Sequence, residues 1–269
     1  INTICEFFTK ETAEFIDREF GKFDHISANN VFAHNDDLRG MVSGIHLLLE
    51  EGGVFTFEIS YLIDIVEKGL LGTIFHEHLS HHSLLSLTKF LGEFGLRLID
   101  ASRVDTQGGA LICVATNSPL LVKTDRLKNL IEYEISVSAD QPLFLKRFAN
   151  NVANQKRELW KLIEENKHED TRVIGYGAAR SANLLIETYQ LLPHYLYSII
   201  DSDKCKVGKY YYGSETKIVS EMEASIKKGD IIIPLAWIHG DNIKEKLKNK
   251  GVKCMFIQFY PKVTLSILD

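Results

Sequence analysis

Arg172-Val-Ile-Gly-Tyr-Gly177 is an apolar strand that runs straight into a glycine turn, and a helical pattern follows from Ala178 to Gln190. Strand, tight turn and helix in that order commit a chain to a crossover that returns to a parallel neighbour. Tyr197-Ser-Ile-Ile-Asp201 supplies the neighbour and ends on an acid. Asp230-Ile-Ile-Ile-Pro-Leu-Ala236 and Lys253 to Phe259 are two further strands, separated by a helix from about Asp241 to Lys250. This order predicts a Rossmann-like unit over residues 171–269.

The front of the chain alternates in the same way. Thr9 to Phe20 reads as a helix with Thr9 as its N-cap, and Asp24 to Asn29 as a short strand. Asp37 to Glu50 reads as a helix stopped by Gly52-Gly53, and Val54 to Ile59 as a strand. Ser83 caps a helix that Gly95 ends. Leu96 to Val104 and Ala110 to Ala115 form a strand pair across Asp105-Thr-Gln-Gly-Gly109. Together these predict an α/β sheet over residues 1–118 with an antiparallel edge. Thr124 to Glu134 and Asp140 to Asn166 predict a helical linker over residues 119–170. The chain opens at Ile1 instead of Met, with Thr3-Ile-Cys-Glu-Phe-Phe8 patterned as a strand, so an N-terminal part is expected to precede it.

Composition removes several functions. The net charge of -5 gives no argument for a nucleic-acid surface. No apolar run approaches a membrane span. Cys5, Cys113, Cys205 and Cys254 are scattered, without a Cys-x-x-Cys, and fit a cytoplasmic protein better than a disulfide frame or a zinc ribbon.

Three stretches carry chemistry. Four of the ten histidines fall within seven residues of Gly72-Thr-Ile-Phe-His-Glu-His-Leu-Ser-His-His-Ser83, beside Glu77. Imidazole is the side chain best suited to moving protons near neutral pH, and a neighbouring carboxylate can orient it. Ser80 stands where a zinc protease would need its second histidine, so no metal site is expected. Asn29-Asn30-Val-Phe-Ala-His34 lies just past a strand's carboxyl end, where open α/β sheets bind ligands. Gly175, Tyr176, Gly177, Ala178, Arg180 and Ser181 lie at a strand-to-helix turn suited to phosphate, with Asp201 placed for a ribose. Arg180 occupies the third glycine position of a dinucleotide fingerprint, which weakens an NAD reading.

These motifs recur together, in this order, in one family. Phe7-Phe8-Thr-Lys-Glu-Thr, Ala28-Asn-Asn-Val-Phe-Ala-His34, Phe75-His-Glu-His78, Thr106-Gln-Gly-Gly109, Gly175-Tyr-Gly-Ala-Ala179 and Leu235-Ala-Trp237 make the chain resemble the AdoMet-dependent C-methyltransferases of nucleotide-linked 4-keto deoxysugars. The resemblance implies a partial class I methyltransferase sheet plus a C-terminal Rossmann-like domain, with S-adenosyl-L-methionine (AdoMet) as cofactor. It implies zinc only in an N-terminal part that this sequence lacks.

The resemblance also implies roles. His78 with Glu77 handles the proton at the sugar carbon, and His34 is a second active-site histidine. Glu6, Asn29 and Asn30 fall at the AdoMet pocket. Gly175 to Ser181, Asp201 and Trp237 are expected to contact the nucleotide-linked sugar, so that a bulky residue at Gly177 weakens that ligand alone. Some relatives carry tyrosine where this chain has Phe75, which cannot accept a proton, so the burden moves to His78. An NAD-dependent oxidoreductase or epimerase, and a non-catalytic sugar-nucleotide-binding module, are the alternatives.

Overall fold

The computed structural model describes residues 2–192 and 195–269; Ile1, where the sequence opens, lies outside them. The chain forms two compact units, the first from residues up to Val66 and His76–Lys146, the second from Glu67–Phe75 and Arg147–Asp269.

The first unit begins with α1 (Lys10–Phe20), whose cap is Thr9: its hydroxyl accepts the Thr12 N–H at 3.3 Å. Next come β1 (Phe23–Asn29), α2 (Leu38–Leu48), β2 (Leu49–Ser60), α3 (Leu62–Lys68, whose last two residues belong to the second unit), α4 (Leu84–Gly92), β3 (Arg97–Val104), β4 (Ala110–Thr116) and α5 (Asp125–Ser136), while α6 (Pro142–Asn166) starts here and belongs to the second unit from Arg147 on. Asp37 caps α2 by accepting the Gly40 N–H at 2.8 Å. The sheet order is β1-β2-β4-β3, with β1 and β2 parallel and β4 antiparallel to both of its neighbours.

Two expectations are corrected here. No strand forms over residues 3–8, which are irregular and largely exposed. A strand exists only by pairing, and among the described residues β1 pairs with β2 alone. The helix expected up to Glu50 stops at Leu48, because Leu49 turns extended and begins β2. Gly52 and Gly53 lie within that strand, where the β1 register jumps from Leu49 to Val54. The expected antiparallel edge is present: β3 is the edge strand and pairs antiparallel with β4, which inserts between it and β2. Phe32, Phe55 and Phe57, all fully buried, stack at 4.7–6.5 Å over this sheet. Burial of such a ring contributes about 1.5–3 kcal/mol.

The second unit contains β5 (Val173–Tyr176), α7 (Ala182–Tyr189), β6 (Leu196–Ile200), β7 (Lys217–Val219), α8 (Glu221–Ala224), β8 (Ile231–Pro234), α9 (Gly240–Asn249), β9 (Cys254–Gln258) and β10 (Thr264–Leu268). Its sheet order is β10-β9-β8-β5-β6-β7, all parallel except β10. Connections leave β5 toward β6 and reach β8 on the other side, so the strand order reverses between β5 and β8. The α7 helix starts four residues later than its pattern suggests, because residues 178–181 form a loop held by Asp201. The three-residue β7, the four-residue α8 and the half-exposed β10 carry too little periodicity to be read from sequence.

Candidate active site

Backbone pairing brings two separated histidines together in the first unit. Phe32–His34 is a short 3-10 turn after β1, pinned by the buried Phe32. The Leu79 N–H donates to Ala33 O at 2.9 Å and draws the histidine-rich stretch onto this turn. As a result the His34 and His78 rings lie 4.8 Å apart at 65°. Downstream, the Leu62 N–H donates to His82 O at 3.0 Å, and Ser83 caps α4 with a reciprocal Ser86 bond. The fully buried Glu134 carboxylate accepts the Leu84 and Leu85 N–H groups at 2.7 and 2.9 Å. That pairing fits a helix N-terminus, where unpaired N–H groups favour an anion.

His81 is a site residue that sequence reasoning did not single out. Its ring stands 6.0 Å from His78 at 88°, and its Nδ1 is buried without a hydrogen-bond partner. Burial, and then the charge of His78, lowers its pKa. Four histidines in one short stretch look alike in sequence, so only geometry separates them. Glu77 is one-third exposed, with its carboxylate 3.9 Å from His76 Nε2. Among the described residues, no three His, Cys, Asp or Glu side chains converge as a metal-ligand set.

His82 points the other way, into the core beside Phe32, with its Nε2 2.9 Å from Ser80 Oγ. Burial, then the neighbouring His81, pushes its pKa down to about 4 from an ordinary 6.5. Unfolding therefore binds a proton between these values, so stability is complete above pH 6.5 and is lost as pH falls toward 4. The Glu134 carboxyl, raised chiefly by burial, acts in the opposite sense. Urea unfolding across this range should show a steeper loss of stability in the wild type than in His82→Gln, and equal slopes would contradict the assignment.

Of the expected cofactor residues, Asn29 and Asn30 immediately precede the Phe32–His34 turn. Asn29 and Asn30 are exposed at the carboxyl end of β1, where the Asn30 N–H donates to Glu58 O at 3.2 Å. Glu6 lines a cavity of about 520 Å³ with Ile4, Thr12 and Phe15. His34 lines another of about 550 Å³ with Phe7, Phe8, Val31 and Met41. Phe7 is 89% exposed and Val31 47% exposed. Exposed apolar faces beside amide side chains suit an adenine ring and an amino-acid tail.

In the second unit, the glycine turn is accounted for by packing. A side chain at Gly175 would collide with Leu235, and one at Gly177, whose φ is +94°, with Ala236. Gly177→Val should thus destabilise the fold by about 2–3 kcal/mol, measured by urea unfolding, through overpacking and backbone strain. Normal stability in the variant would return the glycine to a ligand role.

Asp201 accepts the Ala178 and Asp203 N–H groups, each at 2.8 Å, and meets Lys206 at 3.4 Å. Its carboxylate thereby fixes the loop. The Tyr176 hydroxyl donates to Glu221 at 2.7 Å and accepts from Lys246 at 2.8 Å. Burial opposes the Glu221 carboxylate, but hydrogen bonds from Lys246, Lys250 and Tyr176 outweigh it and hold its pKa at about 2. Tyr176, Asp201, Ser202, Lys204, Glu221 and Lys246 line a cavity of about 320 Å³. Arg180 is exposed and Ser181 half-buried at the start of α7. Trp237, 6% exposed, is packed away from this cavity.

Residues 105–259 match the C-methyltransferase C-terminal domain family. The C-methyltransferase NovU of Streptomyces niveus is 28% identical over 258 residues, covering 93% of this chain. The chain spans 61% of the length of that relative. The magnesium protoporphyrin IX methyltransferase of Synechocystis PCC 6803, solved with bound SAH, is 20% identical and aligns over 36% of this chain and 46% of its own, at a TM-score of 0.29. A structure concerned with conversion of a disulfide bond into a thioacetal group during echinomycin biosynthesis is 14% identical and aligns over 41% and 54%, at a TM-score of 0.27.

Proposed function

The chain belongs to the C-methyltransferase family, and from that premise we propose that it serves AdoMet-dependent C-methylation of a nucleotide-linked 4-keto deoxysugar, through an enolate formed by a histidine base. The observation that carries this reading is the His34–His78 pair, 4.8 Å between rings, at the carboxyl end of β1.

The carbon beside a ketone bears a proton acidic enough for a positioned imidazole. In its neutral form, His78 takes that proton at a ring nitrogen. His34 donates a hydrogen bond to the ketone oxygen and stabilises the developing negative charge. Glu77 orients His78 or contacts the sugar. Bound AdoMet supplies an electrophilic methyl group on a sulfonium. Glu6, Asn29 and Asn30, with the apolar wall of Phe7, Phe8 and Val31, would hold it. Tyr176, Ala178, Arg180, Ser181 and Asp201 belong to the part that holds the sugar nucleotide, with Gly175 and Gly177 shaping the loop.

The NAD-dependent reading draws no support from the glycine turn, since neighbouring side chains already require both glycines and Asp201 is engaged with the loop backbone. The test is transfer of an isotopically labelled methyl group from AdoMet to a 4-keto sugar nucleotide by the intact gene product. Label on the carbon beside the ketone is expected. Label on an oxygen, or NAD reduction without transfer, would contradict the proposal.

A further inference from the structure

The two ring nitrogens of His81 have unlike surroundings. Nδ1 is sealed from solvent and has no hydrogen-bond partner, while the residue as a whole is only half-buried, so Nε2 is the nitrogen left to meet a ligand. These surroundings select the tautomer. A buried N–H without an acceptor costs more than a buried lone pair left empty, so the hydrogen sits on Nε2 and Nδ1 carries the lone pair. A second proton would have to go on Nδ1, where nothing receives it. Burial, and then the charge of His78, accordingly holds the His81 pKa below its ordinary value. The ring is therefore a neutral donor at Nε2 and cannot act there as a base. The Leu79 bond to Ala33 and the Leu62 bond to His82 O fix the backbone on either side of it.

We infer that His81 is a further catalytic residue of the same site: its Nε2–H donates a hydrogen bond to the ketone oxygen of the substrate as that oxygen takes up the enolate charge, beside His34. This rests on the C-methylation reading, with His78 as base. When His78 removes the proton, the electron pair of the broken C–H bond passes into the enolate, and the charge gathers on the ketone oxygen. The proton and the oxygen belong to adjacent carbons, so the base and the donor must be neighbours. The His34 and His81 rings stand 4.8 and 6.0 Å from that of His78, near enough for one carbonyl group and its neighbouring carbon to meet the base and either donor. All three rings belong to the first unit. A neutral donor suits the task. The imidazolium formed at His78 opposes a second positive charge nearby, so His81 keeps its single hydrogen through the step.

The test has two arms, both on the intact gene product. With isotope-labelled histidine nitrogens, long-range proton–nitrogen NMR reads the tautomer without substrate, the His81 signals being those missing from His81→Gln. A neutral ring with its hydrogen on Nε2 is expected at neutral pH; a hydrogen on Nδ1, or a charged ring, would overturn the inference. The second arm compares His81→Leu with His81→Gln, whose amide restores a neutral N–H. His81→Leu should lower kcat for methyl transfer by about 10–10²-fold, with the KM for AdoMet nearly unchanged. It should also slow deuterium exchange at the carbon beside the ketone, since the donor acts on enolate formation. His81→Gln should recover most of both losses. Equal kcat in wild type and His81→Leu, or a loss that His81→Gln does not recover, would overturn the role of His81 alone. A wild type that transfers no methyl group would overturn the C-methylation reading and the catalytic role together.

Discussion

Replacing His78 with alanine in the intact gene product should lower turnover by about 10²–10⁴-fold, the usual contribution of general-base catalysis. AdoMet affinity should stay near normal, because the imidazole acts on the sugar carbon. His34→Ala should cost less, since a donor to the ketone oxygen assists an enolate that His78 alone creates. The two rings are 4.8 Å apart, so the losses should not add in the double variant. Comparable kcat in wild type and His78→Ala, measured at saturating substrates, would remove His78 from the chemistry.

The largest stability effect should come from Arg103. Its guanidinium grips Asp64 with two bonds, Nε to Oδ2 at 2.9 Å and Nη2 to Oδ1 at 2.7 Å. The Asp64 side chain is fully buried, while that of Arg103 is 34% exposed. Arg103→Ala removes two charge-assisted bonds from a carboxylate in the core and should destabilise the first unit by about 3–5 kcal/mol, toward the lower figure because the arginine is partly solvated. Asp64→Leu combined with Arg103→Met should recover most of that loss, since the cost lies in the uncompensated charge. Urea unfolding of both variants checks this, and a double variant no better than Arg103→Ala would contradict it. The pair also explains Gly109, where a side chain would collide with Asp64.

Much of the fold was legible because its signals are local. Thr9, Asp37, Ser83 and Thr124 stand at four helix starts and cap them in the structure. The Val-Ile-Gly-Tyr strand and the Ile231–Pro234 strand are apolar runs of the kind that a parallel sheet buries on both faces. What stayed hidden depends on distant partners. The β4 strand goes between β2 and β3 because of pairing that no local pattern encodes, and residues 3–8 have strand composition but no partner strand among the described residues. The site divides in the same way. Asn29, Asn30 and His34 could be placed at a strand end from sequence, as could the histidine stretch in a loop. The approach of His78 to His34 depends on one backbone bond, Leu79 to Ala33, which joins segments 46 residues apart. The glycines of Gly175 and Gly177 look in sequence like a phosphate cradle, and only their contacts with Leu235 and Ala236 reveal the packing demand.

The most direct test is proton exchange at the carbon beside the ketone. The intact gene product is incubated in deuterated water with a nucleotide-linked 4-keto deoxysugar and S-adenosylhomocysteine in place of the methyl donor, and deuterium at that carbon is followed by NMR. The wild type should introduce deuterium at one carbon, and His78→Ala should not do so above the uncatalysed rate. Exchange at the wild-type rate in His78→Ala, or no exchange in a wild type that still transfers methyl to that carbon, would contradict the histidine-base account.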